Sequence, residues 1–130
     1  MAALLLDTHA FLWWVTNDKA LPPRARRMIE DDTNTIQLSH ACVWEMSIKA
    51  GLGKLSLSTP VLDFVQDECR KNRIQLLPIS LSAIGRVERL PRHHGDSFDR
   101  LLAAECLVRE EPIISADKIF GKYSVKRIWR

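Results

Sequence analysis

The sequence is poor in the features that identify a secreted or membrane-bound protein. Its three cysteines, Cys42, Cys69 and Cys106, are far apart and odd in number. They fit neither a CxxC metal pair nor a disulfide set, so a reducing cytoplasm is expected. Asp7 and His9 interrupt the apolar start of the chain, and no basic residue precedes it, which argues against a secretion signal. No apolar run approaches the roughly 18 residues of a membrane span. We therefore expect a cytoplasmic protein with no membrane partner.

An excess of one charge is also missing. The chain has 19 lysines and arginines and 16 aspartates and glutamates, a formal net charge of +3. This balance permits a nucleic-acid partner without requiring one. Hydrophobic residues at 46% and charged residues at 27% are typical of a globular protein and argue against disorder. A length of 130 residues with no repeat or linker predicts one domain over residues 1–130.

Short apolar runs alternate with helical patterns along the chain. The predicted strands are residues 3–6, 35–39, 74–80, 112–117 and 125–129. The predicted helices are residues 9–18, 22–32, 40–55, 61–72, 81–90 and 97–109. Ser39 is expected to cap the third of these helices, which two glycines bring to an end. Alternation of this kind indicates βαβ units, and hence an α/β fold with a parallel sheet covered on both faces.

Four acidic residues fall where such a fold collects its ligands. Asp7 directly follows the first predicted strand, and Asp117 lies at the end of a later one. Ligands bind at the carboxyl ends of parallel strands. Glu45 lies about two turns into an apolar helix, and Asp99 begins the helix at residues 97–109. We expect these four acids, from four distant segments, to converge.

Such convergence needs a compensating charge. Two carboxylates about 5 Å apart repel by roughly 3 kcal/mol at an effective dielectric near 20. Several such pairs would erode a folding free energy of about 5–15 kcal/mol. Either some of the acids are protonated or a cation binds there, and oxygen-only ligands favour Mg²⁺ or Mn²⁺ over Zn²⁺. An ion of this kind activates water and holds a phosphate oxygen, which is the chemistry of phosphodiester hydrolysis.

Each acid also has a simpler structural explanation. Asp96 and Asp99 match a helix cap followed three positions later by a second acid. Asp7 and Asp117 fit turns after strands, where aspartate is common. Glu45 is harder to explain in this way, because a glutamate among apolar residues is rarely buried without a partner. We assign Asp96 to capping and leave Asp99 open between capping and metal binding.

With these residues placed, the chain resembles PIN-domain ribonucleases, and among them the VapC-type toxins of type II toxin–antitoxin systems. The pieces that carry the resemblance are, in order, "LLLDTHAFLWW", "VWEMSIKAGLGKL", "DSFDRLLAAE" and "PIISAD". Together they span nearly the whole chain. The resemblance implies a three-layer α/β/α sandwich with a central, mainly parallel sheet. On this basis Asp99 is assigned to metal binding.

The resemblance also implies a function and a set of site residues. The function is that of a Mg²⁺- or Mn²⁺-dependent endoribonuclease toxin, which uses metal-activated water and leaves 5′-phosphate and 3′-hydroxyl ends. Its implied partners are RNA, a cognate antitoxin and a second copy in a homodimer. The positions that match the family's catalytic and metal-binding quartet are Asp7, Glu45, Asp99 and Asp117. Thr8 and Ser115 match hydroxyl positions beside the metal, and Asp96 matches an acid of this subgroup whose role is open.

RNA must approach an acidic site, so basic residues are expected around it. The candidates are Arg92, His93, His94, Arg100 and Lys118. Scattered basic residues are also common on any solvated face. The run "RARR" at residues 24–27 is interpreted in that second way, as the exposed side of an amphipathic helix.

Four tryptophans are many for a chain of this size, and most are expected in the core. Trp13 and Trp14 are adjacent on one predicted helix and cannot both face inward. One of them is therefore expected at an interface with a second copy or with the antitoxin.

A different class of function stays open beside the nuclease. In a non-catalytic binding module, the acids would hold a structural cation and the protein would act through a partner alone. A haloacid-dehalogenase-type phosphoryl-transfer site fits less well, because it needs a second acid two residues after the first. His9 occupies that position.

Overall fold

The computed structural model describes residues 2–93 and 95–130, and its central feature is a parallel sheet. The strands are β1 (Ala3–Leu6), β2 (Thr35–Ser39), β3 (Ile74–Leu77), β4 (Ile113–Ile114) and β5 (Arg127–Ile128). Their order across the sheet is β3-β2-β1-β4-β5, and each neighbouring pair is parallel. The prediction of a parallel sheet is confirmed. Since β1 lies in the middle, its carboxyl end is flanked by those of β2 and β4.

Helices connect these strands. They are α1 (Thr8–Val15), α2 (Pro23–Glu30), α3 (His40–Gly51), α4 (Val61–Asn72), α5 (Leu81–Val87), α6 (Ser97–Arg109) and α7 (Ile119–Lys122). Leu4, Leu5 and Leu6 in β1 are fully buried although successive side chains of a strand point to opposite faces. Both faces of the sheet are therefore covered, as the unbroken apolar run predicted.

Two predicted helix caps are present. The Ser39 hydroxyl accepts a hydrogen bond from the backbone N–H of Ala41 at 3.0 Å and begins α3. The Asp96 carboxylate accepts one from the backbone N–H of Asp99 at 3.0 Å and begins α6. After α3, Gly53 has a φ of +74°, a left-handed conformation that glycine adopts without strain. The caps fix where α3 and α6 start, and so where their first turns point.

The structure differs from the predicted pattern mainly at the sheet edges. The third strand stops at Leu77, because Pro78 has no N–H to continue the ladder. The last two strands have only two residues each, which is shorter than their apolar runs. The four-residue helix α7 was not predicted, since a single turn is too short to show periodicity. In the described residues, no helix is both long and apolar enough to cross a membrane.

Arg100 is a structural residue of α6, which corrects its assignment to the RNA surface. It is only 9% exposed. Its guanidinium donates to the carbonyls of Val87 (3.2 Å) and Pro91 (2.9 Å) and to the Tyr123 hydroxyl (3.3 Å). Arg100 therefore joins α6 to the end of α5, to the loop that leads to Asp96, and to the residue after α7.

Replacing Arg100 by methionine is expected to lower the free energy of unfolding by about 2–3 kcal/mol, because two carbonyls and a hydroxyl lose a charged donor. Arg100→Lys should recover only part of this loss, since one ammonium cannot replace a planar fork. Urea denaturation measures the effect, with exposed Arg89→Met as the control. Equal midpoints for Arg100→Met and the control would contradict a structural role.

Candidate active site

The carboxyl ends of the central strands open into a cavity of about 290 Å³. Its acidic side chains come from the end of β1, from α3, from the start of α6 and from the loop after β4. They are Asp7, Glu45, Asp96, Asp99 and Asp117. The four acids expected to converge therefore line one cavity, together with Asp96. Thr8, His9, Lys49, Leu102 and Ala116 complete the lining.

Asp7 ends β1 and caps α1. Its Oδ1 accepts a hydrogen bond from the backbone N–H of Ala10 at 2.8 Å, and its Oδ2 accepts one from the Ser115 hydroxyl. Burial raises the pKa of Asp7 above its ordinary value, although the hydrogen bonds from Ser115 and Ala10 act in the opposite direction. The fold thus pays a desolvation cost to place this carboxylate at the cavity.

Glu45 is held from both sides. Its Oε1 accepts a hydrogen bond from the Thr8 hydroxyl at 2.6 Å, and its Oε2 lies 2.9 Å from the Lys49 ammonium. Thr8 directly follows Asp7, so this contact fixes α3 against the first turn of α1. The sequence reasoning missed Lys49, although its spacing of four residues from Glu45 on one helix is the usual signal of an ion pair.

Ser115 connects the acids of β1 and of the loop after β4. Its side chain is fully buried, and its hydroxyl donates to Asp7 while it accepts from the backbone N–H of Asp117 at 3.0 Å. The Asp117 carboxylate accepts from the backbone N–H of Ile119 at 3.0 Å and is exposed at the rim. Ser115 therefore sets the distance between two acids that are far apart in sequence.

Asp96 and Asp99 share the first turn of α6. Asp96 is exposed and caps the helix, while Asp99 is half-buried, and both carboxylates line the cavity. The start of a helix favours negative charge because unpaired N–H groups point outward there. The predicted cap at Asp96 is thus present, and the same residue also lines the cavity.

The donor chemistry of the cavity suits a hard cation. Carboxylates and the Thr8 and Ser115 hydroxyls are oxygen ligands, which Mg²⁺ and Mn²⁺ prefer. Burial raises the pKa of nearby Cys42 to about 12, so it is a protonated thiol at neutral pH and unsuited to bind a metal. Within residues 2–93 and 95–130, no group of three histidine, cysteine, aspartate or glutamate side chains is arranged to hold an ion directly. Mg²⁺ tolerates this, because it commonly binds one or two carboxylates and keeps several waters.

Within the described residues, the basic side chains expected near RNA do not line the acidic cavity. Arg92 and His93 are exposed in the loop before α6, and the His93 ring lies 5.3 Å from that of Tyr123. Lys118 is exposed and directly follows Asp117. His94 lies outside the described residues. Of the basic side chains that the structure describes, Lys49 lines this cavity, and Arg92, His93 and Lys118 do not.

The tryptophans are arranged differently from the expectation. Trp13 lies 5.7 Å from Trp129, between ring centroids, and Trp14 donates its Nε1–H to Asn72 at 3.2 Å. Both are half-buried, on separate contacts. Trp44 is 56% exposed, with its ring 5.1 Å from that of Phe98. The most exposed of the four is therefore on α3, beside Glu45.

Comparison with known protein families agrees with this architecture. The family model of the PIN domain matches residues 4–126. The chain belongs to the PIN-domain family. The family recognised from the four sequence motifs is thus confirmed, and so is the α/β/α class of the fold.

Individual PIN-domain relatives are similar over almost their whole length. Ribonuclease VapC22 of Mycobacterium tuberculosis is 24% identical over 119 residues, which are 91% of this chain and 89% of that protein. The structure of VapBC2 from Rickettsia felis, bound to a DNA fragment from its promoter, has a TM-score of 0.70 at 13% identity and covers 98% of this chain and 99% of its own. VapBC-5 of M. tuberculosis gives 0.63 at 18% identity, covering 100% of both chains. At these identities, the solved structures show a shared fold.

Asp7→Asn is expected to raise the melting temperature of the metal-free PIN domain at pH 7.5 by a few degrees. Asparagine keeps the capping acceptor but removes the buried charge. Because the folded-state pKa of Asp7 is raised, the folded chain binds more protons between the ordinary aspartate pKa and that raised value. The wild type therefore loses stability as the pH rises through this window. The difference in melting temperature between Asp7→Asn and the wild type should accordingly shrink as the pH falls towards 4.

Thermal melts across pH 4–7.5, with exposed Asp32→Asn as the control, measure this difference. Added Mg²⁺ should raise the melting temperature of the wild type more than that of Asp7→Asn. A variant that melts below the wild type at every pH would show that the Asp7 carboxylate stabilises the fold.

Proposed function

We propose that this PIN-domain protein is a Mg²⁺- or Mn²⁺-dependent endoribonuclease that acts as the toxin of a toxin–antitoxin pair. The observation that carries the proposal is the cavity into which β1, α3, α6 and the loop after β4 each bring at least one acid. Structural needs alone do not gather five carboxylates, because their mutual repulsion costs folding free energy. The similarity to ribonuclease VapC22 supports RNA as the substrate.

We assign a separate role to each of the four acids. Asp7 and Asp99 are assigned as the residues that hold the ion, and Glu45 and Asp117 as acceptors of hydrogen bonds from water around it. A bound divalent cation would activate water and neutralise a phosphate oxygen. Glu45 suits an acceptor role because Thr8 and Lys49 fix its carboxylate while each oxygen keeps a further lone pair.

The proposed reaction is hydrolysis of an RNA phosphodiester. The oxygen of water attacks phosphorus in line with the departing 3′ oxygen, and the bond between phosphorus and that 3′ oxygen breaks. A carboxylate of the cavity accepts one proton from the attacking water, and the departing 3′ oxygen takes up one proton from solvent, so the net transfer is of one proton from water to the 3′ oxygen. The 2′-hydroxyl takes no part, so the products carry 5′-phosphate and 3′-hydroxyl ends.

Lys49 is proposed to bind the phosphate that is cut. Its side chain is 38% exposed, lines the cavity and pairs with Glu45 at 2.9 Å. An ammonium beside the acids offsets part of their charge in the absence of substrate. The same ammonium can donate to a phosphate oxygen without leaving the cavity.

An antitoxin is the proposed protein partner. The chain shares its fold with VapBC structures, which are described as toxin–antitoxin systems. An antitoxin that covers the acidic cavity would prevent RNA from reaching it. The proposed place of action is the cytoplasm, where RNA substrates are found.

One observation favours the non-catalytic alternative. Both oxygens of Glu45 already have donors from the protein, so the fold itself uses this carboxylate for contacts between α1 and α3 and within α3. In that alternative, the cavity holds a cation only to stabilise the fold. The two functions differ in whether a folded variant lacking one acid loses cleavage.

Asp99→Asn is expected to reduce RNA cleavage by at least about 100-fold while the fold is kept, because it removes charge where the ion and the reacting phosphate meet. Mapping of 5′-phosphate ends in cellular RNA after brief induction measures this, with Asp32→Asn as a control that retains cleavage. Ends that carry a 2′,3′-cyclic phosphate would contradict the proposed attack by water. Cleavage by Asp99→Asn equal to that of the control would contradict the role assigned to Asp99, and a folded wild type that cleaves no RNA would favour the binding module.

A homodimer is also proposed, and we assign it to the apolar groove beside Trp44. The groove has a volume of about 460 Å³ and no charged side chain in its lining. Its lining residues are Trp44, Ile79, Ile84, Val87, Ser97, Phe98 and Leu101. Ile84 is 51% exposed. A two-fold axis brings the same patch of two subunits together, which an uncharged surface tolerates.

Ile84→Lys is expected to convert the proposed dimer to a monomer at micromolar concentration, because two buried ammonium groups would meet across the axis. Light scattering after gel filtration gives the mass. The control is Thr35→Lys, an exposed position at the amino end of β2. A wild type that is monomeric, or a variant that stays dimeric, would remove this face from the proposal.

A further inference from the structure

A second cavity of opposite charge lies beside the acidic one. Its volume is about 530 Å³, and its lining contains four basic side chains and no acidic one. The lining residues are Arg24, Ala116, Lys118, Arg127, Trp129 and Arg130. They come from α2, from the loop after β4 and from the last four residues of the chain. Sequence reasoning had placed Arg24 on a plain solvent face.

The two cavities are adjacent. Ala116 lines both of them, and Asp117, at the rim of the acidic cavity, is followed directly by Lys118 in the basic one. An RNA strand that leaves the acidic cavity past Ala116 would therefore meet the positive charge of Lys118, the residue directly after Asp117. This continuity connects the basic cavity with the chemistry proposed for the acids.

Two of the arginines are fixed by the backbone. Arg24 donates to the main-chain oxygen of Arg130 at 2.9 Å, and Arg127 donates to the carbonyls of Ser115 (3.1 Å) and Ala116 (3.3 Å). Each guanidinium keeps further N–H donors after these bonds. In residues 2–93 and 95–130, none of the four basic side chains forms an ion pair with an aspartate or glutamate side chain. The charges of Arg24 and Arg127 are thus held in place, and no acidic side chain compensates the charge of the cavity.

A row of three aromatic rings links the linings of the two cavities. The exposed His9 lines the acidic cavity and stacks on Trp13, with ring centroids 5.4 Å apart and planes at 17°. Trp13 in turn contacts Trp129, which lines the basic cavity. Basic grooves combined with aromatic platforms are typical of sites that bind single-stranded nucleic acid.

We propose that the basic cavity binds phosphates of the single-stranded RNA next to the bond that is cut, and so feeds the strand into the acidic cavity. This inference rests on the proposed nuclease function. Two arginine forks held by the backbone, with a lysine and a third arginine beside them, suit successive phosphates, because each phosphate carries a full charge and several acceptor oxygens. RNA is favoured over an acidic protein segment because the exposed His9 ring, which stacks on Trp13, can also stack on a base.

The test measures binding apart from cleavage. The probe is a fluorescent 12-nucleotide single-stranded RNA of mixed sequence, followed by anisotropy in EDTA at several salt concentrations. The test variant is Lys118→Met/Arg130→Met, which spares the arginines that bond to the backbone. The control, Lys71→Met/Lys126→Met, removes the same charge at exposed positions outside both cavities.

The test variant is expected to bind the RNA about tenfold more weakly at 0.1 M salt. The slope of log affinity against log salt should fall by about 1.4, since each lost phosphate contact contributes about 0.7 for a single strand. The control should change both quantities much less. Equal losses in the two variants would overturn the proposal, because net charge alone would then explain binding.

A second probe, a fluorescent polyglutamate 12-mer, tests the other kind of partner. If the test variant loses polyglutamate binding but keeps RNA binding, the cavity belongs to an acidic protein segment and the proposal fails. Because EDTA prevents metal-dependent cleavage, this failure is distinct from failure of the nuclease function. A wild type that binds RNA through this cavity but never cleaves it would refute the nuclease and keep the binding site.

Discussion

The placement of one buried carboxylate, Asp7, determines most of the candidate site. Its two oxygens accept hydrogen bonds from the N–H of Ala10 and the hydroxyl of Ser115, and so join the end of β1 to the start of α1 and to the end of β4. The neighbouring Thr8 extends the same connection to Glu45 on α3. Because β1 is the middle strand, these contacts connect it both to α3, which follows β2, and to the loop after β4.

The same arrangement explains why the candidate site lowers the stability of the metal-free chain. Burial raises the pKa of Asp7, which means that its charged form is poorly solvated in the metal-free chain. Lys49 offsets charge only on the side of Glu45, and the hydroxyls of Thr8 and Ser115 act as donors to single oxygens. Protein groups thus orient the acids while neutralising them only in part. A divalent cation would supply the missing charge, which is why we interpret the site as a metal centre.

The sequence predicted those features that depend on short-range patterns. The run Leu4–Leu6 reads as a central strand because both of its faces are buried, and an acid directly after such a strand must lie at the ligand-binding edge of a parallel sheet. The caps at Ser39 and Asp96 are equally local. No strand-end rule places Glu45 or Asp99: the apolar neighbours of Glu45 singled it out, and the family resemblance decided the assignment of Asp99.

The features that the sequence did not predict depend on packing between distant segments. Nothing near Arg100 in sequence shows that its guanidinium is enclosed by the ends of α5 and α7. Trp44 has an apolar neighbourhood in sequence but lies on the outer side of α3. The basic cavity brings Arg24 next to Arg130, 106 positions away. The net charge shows that the chain is mildly basic, but it does not show where in the fold the basic residues lie.

That distribution has a consequence for how the two cavities would work together. A phosphate is repelled by the carboxylates until a cation binds them, whereas the basic cavity attracts phosphates whether or not an ion is present. Salt weakens the exposed attraction more than it weakens contacts inside the partly buried acidic cavity. Under the two proposals, RNA capture and RNA cleavage would therefore depend on different charges, which meet at a single alanine, Ala116. A chain with this arrangement would hold RNA before the ion binds, and the ion would then determine whether the strand is cut.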